Sequence, residues 1–508
     1  MKPSQTLSLI IMMWLLFISS NTYSVLSVPS GLCINNSTCA NSADTTIDKP
    51  NAYFVKPNGN DDADGKSHAT AWKTTNKVNN FHFKQGDDVY FLAGGTWTKQ
   101  ILKVDWSGTA DNRVIIGAYH IKHGVETAGV LEGVDKPTLT GGYTSSTSLG
   151  NVPTSTFAGL ISISESPYVT IQNMKVKDSS GYGIVASASP HAIIENNDVI
   201  RVAGSSARAL AGSDYSIIRN NTMIQSTWSI EDGIKPVEYG SHPPCIGVKQ
   251  SDYVTVENNK LHQLHCEAIA TVGGADFTVM RGNLITDGRY VGLYVNGSAN
   301  ALVENNIVLG NGSGEAVRMS GISVSVETGK ILENATNIVI RNNLIAGVTS
   351  CFNTWLHKPA KEKGMFTSGV FIGNSCVGTN NGISFVAAPQ HFGTWLVANN
   401  LVWDTADKAC SAPTDPDITF LNNSWGTNPG DADCDGVGDI YGNPMLTTTT
   451  DFRDFGKDNL ATAKDFTPQA DSPVIGAGKS FTELKKDYLG ITRANPTSIG
   501  AIENIGSR

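Results

Sequence analysis

One phrase keeps returning along this chain. "VTVENNKL" at residues 254–261 is echoed by "AIIENNDV", "SIIRNNTM", "ALVENNIV", "IVIRNNLI" and "WLVANNLV". The first Asn of each phrase, or its stand-in, falls at 173, 196, 220, 258, 282, 305, 342, 374, 399 and 422, with glycine at 282. Most neighbours in that series, such as 173 and 196 or 399 and 422, are one constant step apart, and the longer steps fall at 220–258, 305–342 and 342–374. A regular step of this size is too short for helical solenoid repeats, which run at about 33–47 residues. The flanking residues alternate apolar and polar, and Val, Ile and Tyr dominate, which is strand chemistry. Asn tolerates the left-handed conformation of a sharp corner, and stacked Asn side chains can hydrogen-bond between layers. Each repeat therefore reads as one coil of a parallel β-solenoid, a single all-β body with the Asn pair at a corner. A leucine-rich repeat is set aside because its L-x-x-L-x-L frame is absent; a β-sandwich with coincidental Asn turns is the remaining alternative.

A solenoid relaxes the usual link between length and domain count, because each coil contacts only its neighbours. The 508 residues, 40% hydrophobic and 16% charged, are ample for one long core, and 51 glycines suit many turns. The net charge of −9 without a long charge run speaks against nucleic acid as a partner. At the N-terminus, Lys2, the apolar run Leu7–Ile18 and the polar exit Ser19–Ser24 read as a secretory signal peptide over 1–24. No other stretch is long enough to span a membrane. The expectation is a secreted, soluble protein, extracellular or periplasmic, and a monomer.

Eight cysteines in an exported chain suggest disulfides. Aligning "CIGVK" (245–249) with "CEAIA" (266–270) places Cys245 and Cys266 at one position of successive coils. Stacked strands lie about 4.8 Å apart, inside the Cα–Cα window of a disulfide. Cys410 follows the corner Asn399 at nearly the offset by which Cys434 follows Asn422, so this pair too is one coil apart. Cys33 and Cys39 would close a local loop. Cys351 and Cys376 do not share a register and form the weakest pair.

Residues 25–51 read as a leader. From Ala52, a strand, an acidic loop, a short helix carrying Trp72 and Val78 and a further strand would cap the solenoid, which runs to about residue 425. Residues 426–508 would pack on the last coils. The opening "YFVKPNGNDDADGKSHATAWKT", the strand "GDDVYFLAGGTW", the ENN/RNN coils and the tail "DYLG…SIGAIE" together resemble secreted right-handed parallel β-helix proteins of the pectate-lyase-like superfamily. The resemblance covers nearly all of the mature chain. It implies a carbohydrate-active protein: a polysaccharide lyase, glycoside hydrolase, uronan epimerase or adhesin.

Long gaps in a solenoid are loops on one face, often the binding face. The insert "STWSIEDGIKPVEYGSHPP" carries Trp228, and "CFNTWLHKPAKEKG" carries Trp355, His357 and Lys358; both would wall a substrate groove. Between them, aligning "IGVK" (246–249), "EAIA" (267–270), "VGLY" (291–294) and "EAVR" (315–318) turns Val248, Ile269, Leu293 and Val317 inward. Lys249, Ala270, Tyr294 and Arg318 then form one outward register, with Ala270 leaving room for a sugar ring. His265 and Arg289 share a second register, one coil apart. Lys, Tyr and Arg beside one groove suit β-elimination on a uronate polymer such as alginate or pectate, with a base, a cation for the developing charge and an acid at the leaving oxygen. Neighbouring cations would depress the pKa of Lys249 or Tyr294; the superfamily's lyases use Lys, Arg and sometimes Tyr in such roles. Hydrolysis would need two carboxyl groups. Glu267 and Glu315 share a register, but their parity points them inward or into a corner, and Glu231 and Asp232 lie in the first insert. A non-catalytic glycan-binding protein is the third reading.

"DADCDGVGD" spaces Asp431, Asp433, Asp435 and Asp439 at 1, 3, 5 and 9 with Gly at 6, as in calcium loops, though Gly442 stands where a bidentate Glu is expected. The expectation is a structural calcium ion or a plain acidic turn. "NDDADG" (60–65) is a weaker candidate.

Overall fold

The computed structural model describes residues 45–47, 50–142, 159–227, 244–310, 319–327, 334–356, 366–386, 392–413, 417–426, 434–455 and 460–504. Its strands form three long sheets of 14, 13 and 11 strands, parallel except for one antiparallel hairpin strand, Val125–Ala128. Successive strands of a coil belong to the first, second and third sheets in turn, and each pairs with its equivalent one coil on. This is a right-handed parallel β-helix.

The repeated asparagines build its corner. Asn173, Asn196, Asn220, Asn258, Asn305, Asn342, Asn399 and Asn422 have φ between 51° and 56°. Gly282 and Gly373 occupy the same left-handed position with φ of 63° and 60°, so the corner of that coil is Gly373 rather than Asn374. The second Asn of each pair is buried and stacks. Asn197 N–H and Nδ2 donate to Asn221 Oδ1 at 3.0 and 3.1 Å, Asn221 donates in the same way to Asn259, and Asn259 to Asn283. The ladder continues through Asn306, Asn343, Asn374 and Asn400 to Asn423. A buried polar group left unmade is expensive, so these repeats lock the register of coils whose loops differ in length.

Two further ladders decorate the outside. On the first sheet, Glu195, Arg219, Glu257, Arg281, Glu304 and Arg341 follow one another in register. They pair along the stack, for example Arg219 Nε to Glu195 Oε2 at 2.7 Å and Arg341 Nη2 to Glu304 Oε2 at 2.7 Å. The alternation of ENN with RNN and RGN is the sequence record of this self-neutralised face. At another left-handed corner the rings of Tyr168, His191, Tyr215, Tyr253 and Phe277 stack at 4.5–5.1 Å.

The solenoid interior is one apolar cluster reaching from Val55 and Trp72 to Phe420 and Trp425. At the N-terminal end the helix is Thr75–Asn79, capped by the Thr74 side chain; Trp72 precedes it and is fully buried. From the C-terminal segment, Leu446, Phe452, Phe466 and Val474 cover Leu309, Leu344, Val377 and Leu401 of the second sheet, while Phe481 and Leu484 cover Val370, Ile372 and Ala398 of the first.

Three disulfides join Cys245 to Cys266, Cys351 to Cys376 and Cys410 to Cys434, with Cα–Cα distances of 5.6, 5.6 and 6.2 Å. One correction concerns register. Cys245 and Cys266 pair without sharing a register: Ile246, which follows Cys245, stands opposite Ile269 rather than opposite Glu267, which follows Cys266. Cys351 and Cys376 pair although one belongs to the third sheet and the other to the second: both are buried in the core, where the two sheets meet. Cys33 and Cys39 and the signal segment lie outside the described residues. Three disulfides suggest a secreted protein, and among the described residues no helix is long and apolar enough to cross a membrane.

Candidate functional site

Every insert between residues 228 and 391 enters or leaves a strand of the third sheet, so its outer face differs from the ion-paired face of the first. Strand pairing places Arg208, Gly247, Ala270, Tyr294, Ser323 and Asn353 in one row. The next row is Leu210, Lys249, Val272, Asn296, Ser325 and Trp355.

This corrects the expected ladder. Ala270 and Tyr294 are opposite each other as predicted, but Lys249 is opposite Val272, two places on from the expected Ala270. Parity survives a shift of two, so Lys249 still points outward and is exposed. Tyr294 faces Ser323, not Arg318, and the inward residue there is Ile322 or Val324 rather than Val317. Arg318, Glu315, Trp228, His357, Lys358, Glu231 and Asp232 lie outside the described residues. Leu264 stands opposite Gly288, so the adjoining His265 and Arg289 do share a register. His265 is buried and Arg289 half-buried. Trp355 ends the second row, 44% exposed.

Tyr294 is the centre of a polar cluster. It is only 4% exposed. Its hydroxyl donates to Glu327 Oε1 and accepts from Ser325 Oγ at 2.7 Å. Asn296 Nδ2 donates to Glu327 Oε2 at 3.0 Å. Both oxygens of Glu327 are thus held by side chains of a neighbouring coil. Glu267, half-buried, completes the group: desolvation and then the negative charge of Glu327 push its carboxyl up to about 8. It lies in the corner between the strands Lys260–Leu264 and Ile269–Val272, one of the two placements its parity allowed, and there its charge couples to both Glu327 and Tyr294. Burial first, then the charge and hydrogen bond of Glu327, drive the Tyr294 phenol far above its ordinary value. The expectation that nearby cations lower it is overturned, because its close neighbours are carboxylates.

Sequence reading missed Glu327, Asn296 and Ser325. Asn296 and Ser325 carry the right parity, each two places beyond Tyr294 and Ser323. The step from Tyr294 to Ser323 is longer than the regular coil that separates Ala270 from Tyr294, so only three-dimensional pairing locates them.

Of the acidic loop, residues 434–439 are described. Asp439 is the last rung of the asparagine ladder: its Oδ1 accepts from Asn423 N–H at 2.7 Å, and its Oδ2 from Trp425 Nε1 at 2.6 Å and Gly436 N–H at 3.0 Å. Asp435 Oδ1 takes the Tyr441 hydroxyl. These two carboxylates accept from protein donors; Asp431 and Asp433 lie outside the described residues. In "NDDADG", Asp61 accepts from Lys73 N–H and from Thr74 N–H and Oγ1. Among the described residues no group of three or more metal-ligating side chains is present.

Comparison with known proteins agrees with the architecture. The right-handed β-helix region family matches residues 239–425. The crystal structure of pectate lyase Pel9A is similar at TM-score 0.50 and 15% identity, covering 89% of this chain and 96% of that one. A rhamnogalacturonan lyase is similar at TM-score 0.49 and 13% identity, over 83% and 97% of the two chains. A GH136 lacto-N-biosidase from Eubacterium ramulus is similar at TM-score 0.40 and 11% identity, over 77% and 67%. No curated protein matches the sequence. The likeness is one of fold, and a fold does not fix a reaction.

Proposed function

We propose that this chain, a right-handed parallel β-helix of the pectate-lyase-like kind, is a glycan-cleaving enzyme that works on the outer face of its third sheet with Glu267 and Glu327 as its acid and base. One observation carries the reading: a carboxyl pushed up to about 8 beside a second carboxylate that Tyr294 and Asn296 hold in place. Pairs of titratable groups whose surroundings drive their pKa values apart are how a fold assigns acid and base roles. Glu267 enters the reaction carrying a proton at neutral pH and donates it to the leaving glycosidic oxygen. Glu327 activates water, or attacks the anomeric carbon, with its orientation fixed by the Ser325–Tyr294 relay and by Asn296. Hydrolysis is the reaction this pair serves directly.

β-Elimination on a uronate polymer is the second reading, and exposed Lys249 favours it as the base. Against it stands the local field. The Glu327 carboxylate that raises the pKa of Tyr294 also repels a substrate carboxylate at the cleaved linkage, which an elimination needs neutralised. The deciding experiment incubates the full mature chain with pectate, alginate, glycosaminoglycans and neutral glycans. New reducing ends without absorbance at the unsaturated-uronate band mean hydrolysis; growth of that absorbance means elimination. Neither signal on any polymer removes the enzyme reading and leaves a glycan-binding module.

A further inference from the structure

The disulfide between Cys245 and Cys266 closes on residues that the strand register does not set opposite each other. Ile246 stands opposite Ile269, and Ile246 N–H donates to Ala268 O at 2.9 Å. Continued backward by one place, that register sets Cys245 beside Ala268 and leaves Cys266 two residues further along the chain. Two residues of extended strand advance about 6.6 Å, so on a straight strand the two Cα atoms would lie about 8 Å apart. They are 5.6 Å apart. A disulfide needs roughly 4.4–6.8 Å, so this one closes because the chain bends between Cys266 and Ala268. The residue at the bend is Glu267.

The bend decides where the Glu267 side chain goes. Along a regular strand inward and outward residues alternate, and Glu267 would face inward with Ile269. Instead Cys266, Ala268 and Ile269 all belong to the buried core, and Glu267, flanked on both sides by core residues, is turned the other way and half-buried. Glu327 is held by side chains, its oxygens meeting Tyr294 and Asn296. Glu267 is held through its backbone: its carbonyl accepts from Cys245 N–H at 2.7 Å, and the Ala268 N–H beside it donates to Val291 O at 2.8 Å. Cys245 is itself anchored, its carbonyl accepting from Ser206 N–H at 2.8 Å. The covalent link from Cys245 to Cys266 therefore runs beside the hydrogen bond from Cys245 to Glu267, and both tie the bend to the preceding coil.

We infer that Cys245 and Cys266 are positioning residues, whose disulfide holds the bend that turns the Glu267 carboxyl out of the core and into the cluster of Glu327 and Tyr294. This deepens the proposed function and rests on Glu267 as its acid. A reacting group displaced by about 1 Å can lose about 10²-fold in rate, so a clamp one residue away from the acid acts on the reaction as well as on stability. The Cys410–Cys434 disulfide supplies the contrast. Cys410 stands five strand spacings along the third sheet from Ile269, roughly 24 Å, and it touches nothing in the cluster.

The test compares the full chain with Cys245→Ala/Cys266→Ala and with Cys410→Ala/Cys434→Ala. Two readouts are taken. One is the titration of the Glu267 carboxyl by NMR on glutamate-labelled protein, its signal assigned by its absence in Glu267→Gln. The other is kcat against pH on the polymer that the wild type cleaves. The two disulfides close loops of similar length, so both pairs should lower the unfolding midpoint alike. Cys245→Ala/Cys266→Ala alone should move the carboxyl titration, from about 8 back towards the ordinary Glu range. The alkaline fall of kcat should move down with it, and kcat should drop by up to about 10²-fold with KM little changed. If the alanine pair does not fold, Cys245→Val/Cys266→Val, which refills the core, takes its place; failure of both makes the bridge a requirement of folding and overturns the inference. A folded variant whose carboxyl titrates as in the wild type, or a Cys410→Ala/Cys434→Ala chain that moves the titration equally, also overturns it. A wild type that cleaves no polymer, while its Glu267 titration still depends on the bridge, sinks the acid–base assignment and leaves the clamp standing.

Discussion

At the scale of single residues, the two readings of the reaction separate by substitution. If Glu267 and Glu327 are acid and base, Glu267→Gln or Glu327→Gln should cost about 10²–10⁴-fold in kcat, the usual worth of positioned proton transfer. Lys249→Met should then leave the rate close to wild type. Under elimination the pattern reverses, and Lys249→Met carries the loss. Tyr294→Phe keeps the ring but frees Glu327 Oε1, so it should lower kcat less than Glu327→Gln does. The pH dependence has a definite sign. Glu267 binds its proton more tightly in the folded chain, up to about 8, than in the unfolded one. It costs no stability below the ordinary Glu range, and its cost grows as pH rises towards 8 and is complete above it. Glu267→Gln should therefore raise the unfolding midpoint at pH 9 relative to wild type and change it little at pH 4. Wild-type kcat should fall as pH rises through the same value.

At the scale of elements, the asparagine ladder is the feature whose loss is easiest to read. Asn283 accepts from Asn259 N–H and Nδ2, and donates to Asn306 Oδ1 and Val256 O. Asn283→Ala should cost about 1–3 kcal/mol for each buried group it orphans, measured by denaturant titration. Asp439→Asn tests the other end. It turns one of two accepting oxygens into a donor facing either Asn423 N–H or both Trp425 Nε1 and Gly436 N–H, and should destabilise by a similar amount. Since the Asp439 oxygens serve those donors, chelator should leave the wild-type midpoint unmoved; a chelator-sensitive midpoint would assign the loop to calcium after all. How far the elements are legible beforehand shows here too. The corner asparagines, their left-handed backbone and their layer-to-layer bonding follow from the repeats alone. The role of Asp439 does not, because its distance along the chain from Asn423, its partner in the ladder, falls short of the period.

At the scale of the whole molecule, the three disulfides staple coils in the C-terminal two-thirds of the solenoid. Each joins cysteines separated by 21, 25 or 24 positions, a loop for which chain entropy supplies about 3 kcal/mol. Unreduced peptide mapping should recover all three pairs, and reductant should lower the unfolding midpoint. Free, alkylatable Cys351 and Cys376 would refute the pairing that the repeat register did not anticipate.

The sequence by itself determined the period, the strand chemistry, the corner conformation, the charge alternation of the first sheet and the side on which each strand residue points. These are local or nearest-neighbour properties: left-handed Asn, alternation of two, and hydrogen bonds between identical residues one coil apart. Only the tertiary structure decided which outward residues meet. Register across an insert depends on how much chain the insert absorbs, and nothing in its own text states that amount. The slip that sets Lys249 opposite Val272 instead of Ala270, and the lengthened step from Tyr294 to Ser323, are both set by strand pairing under the constraint of the buried Asn ladder. So Glu327 and Asn296 joined the site only once the coils were stacked, because their chemistry arises from neighbours far away in the chain.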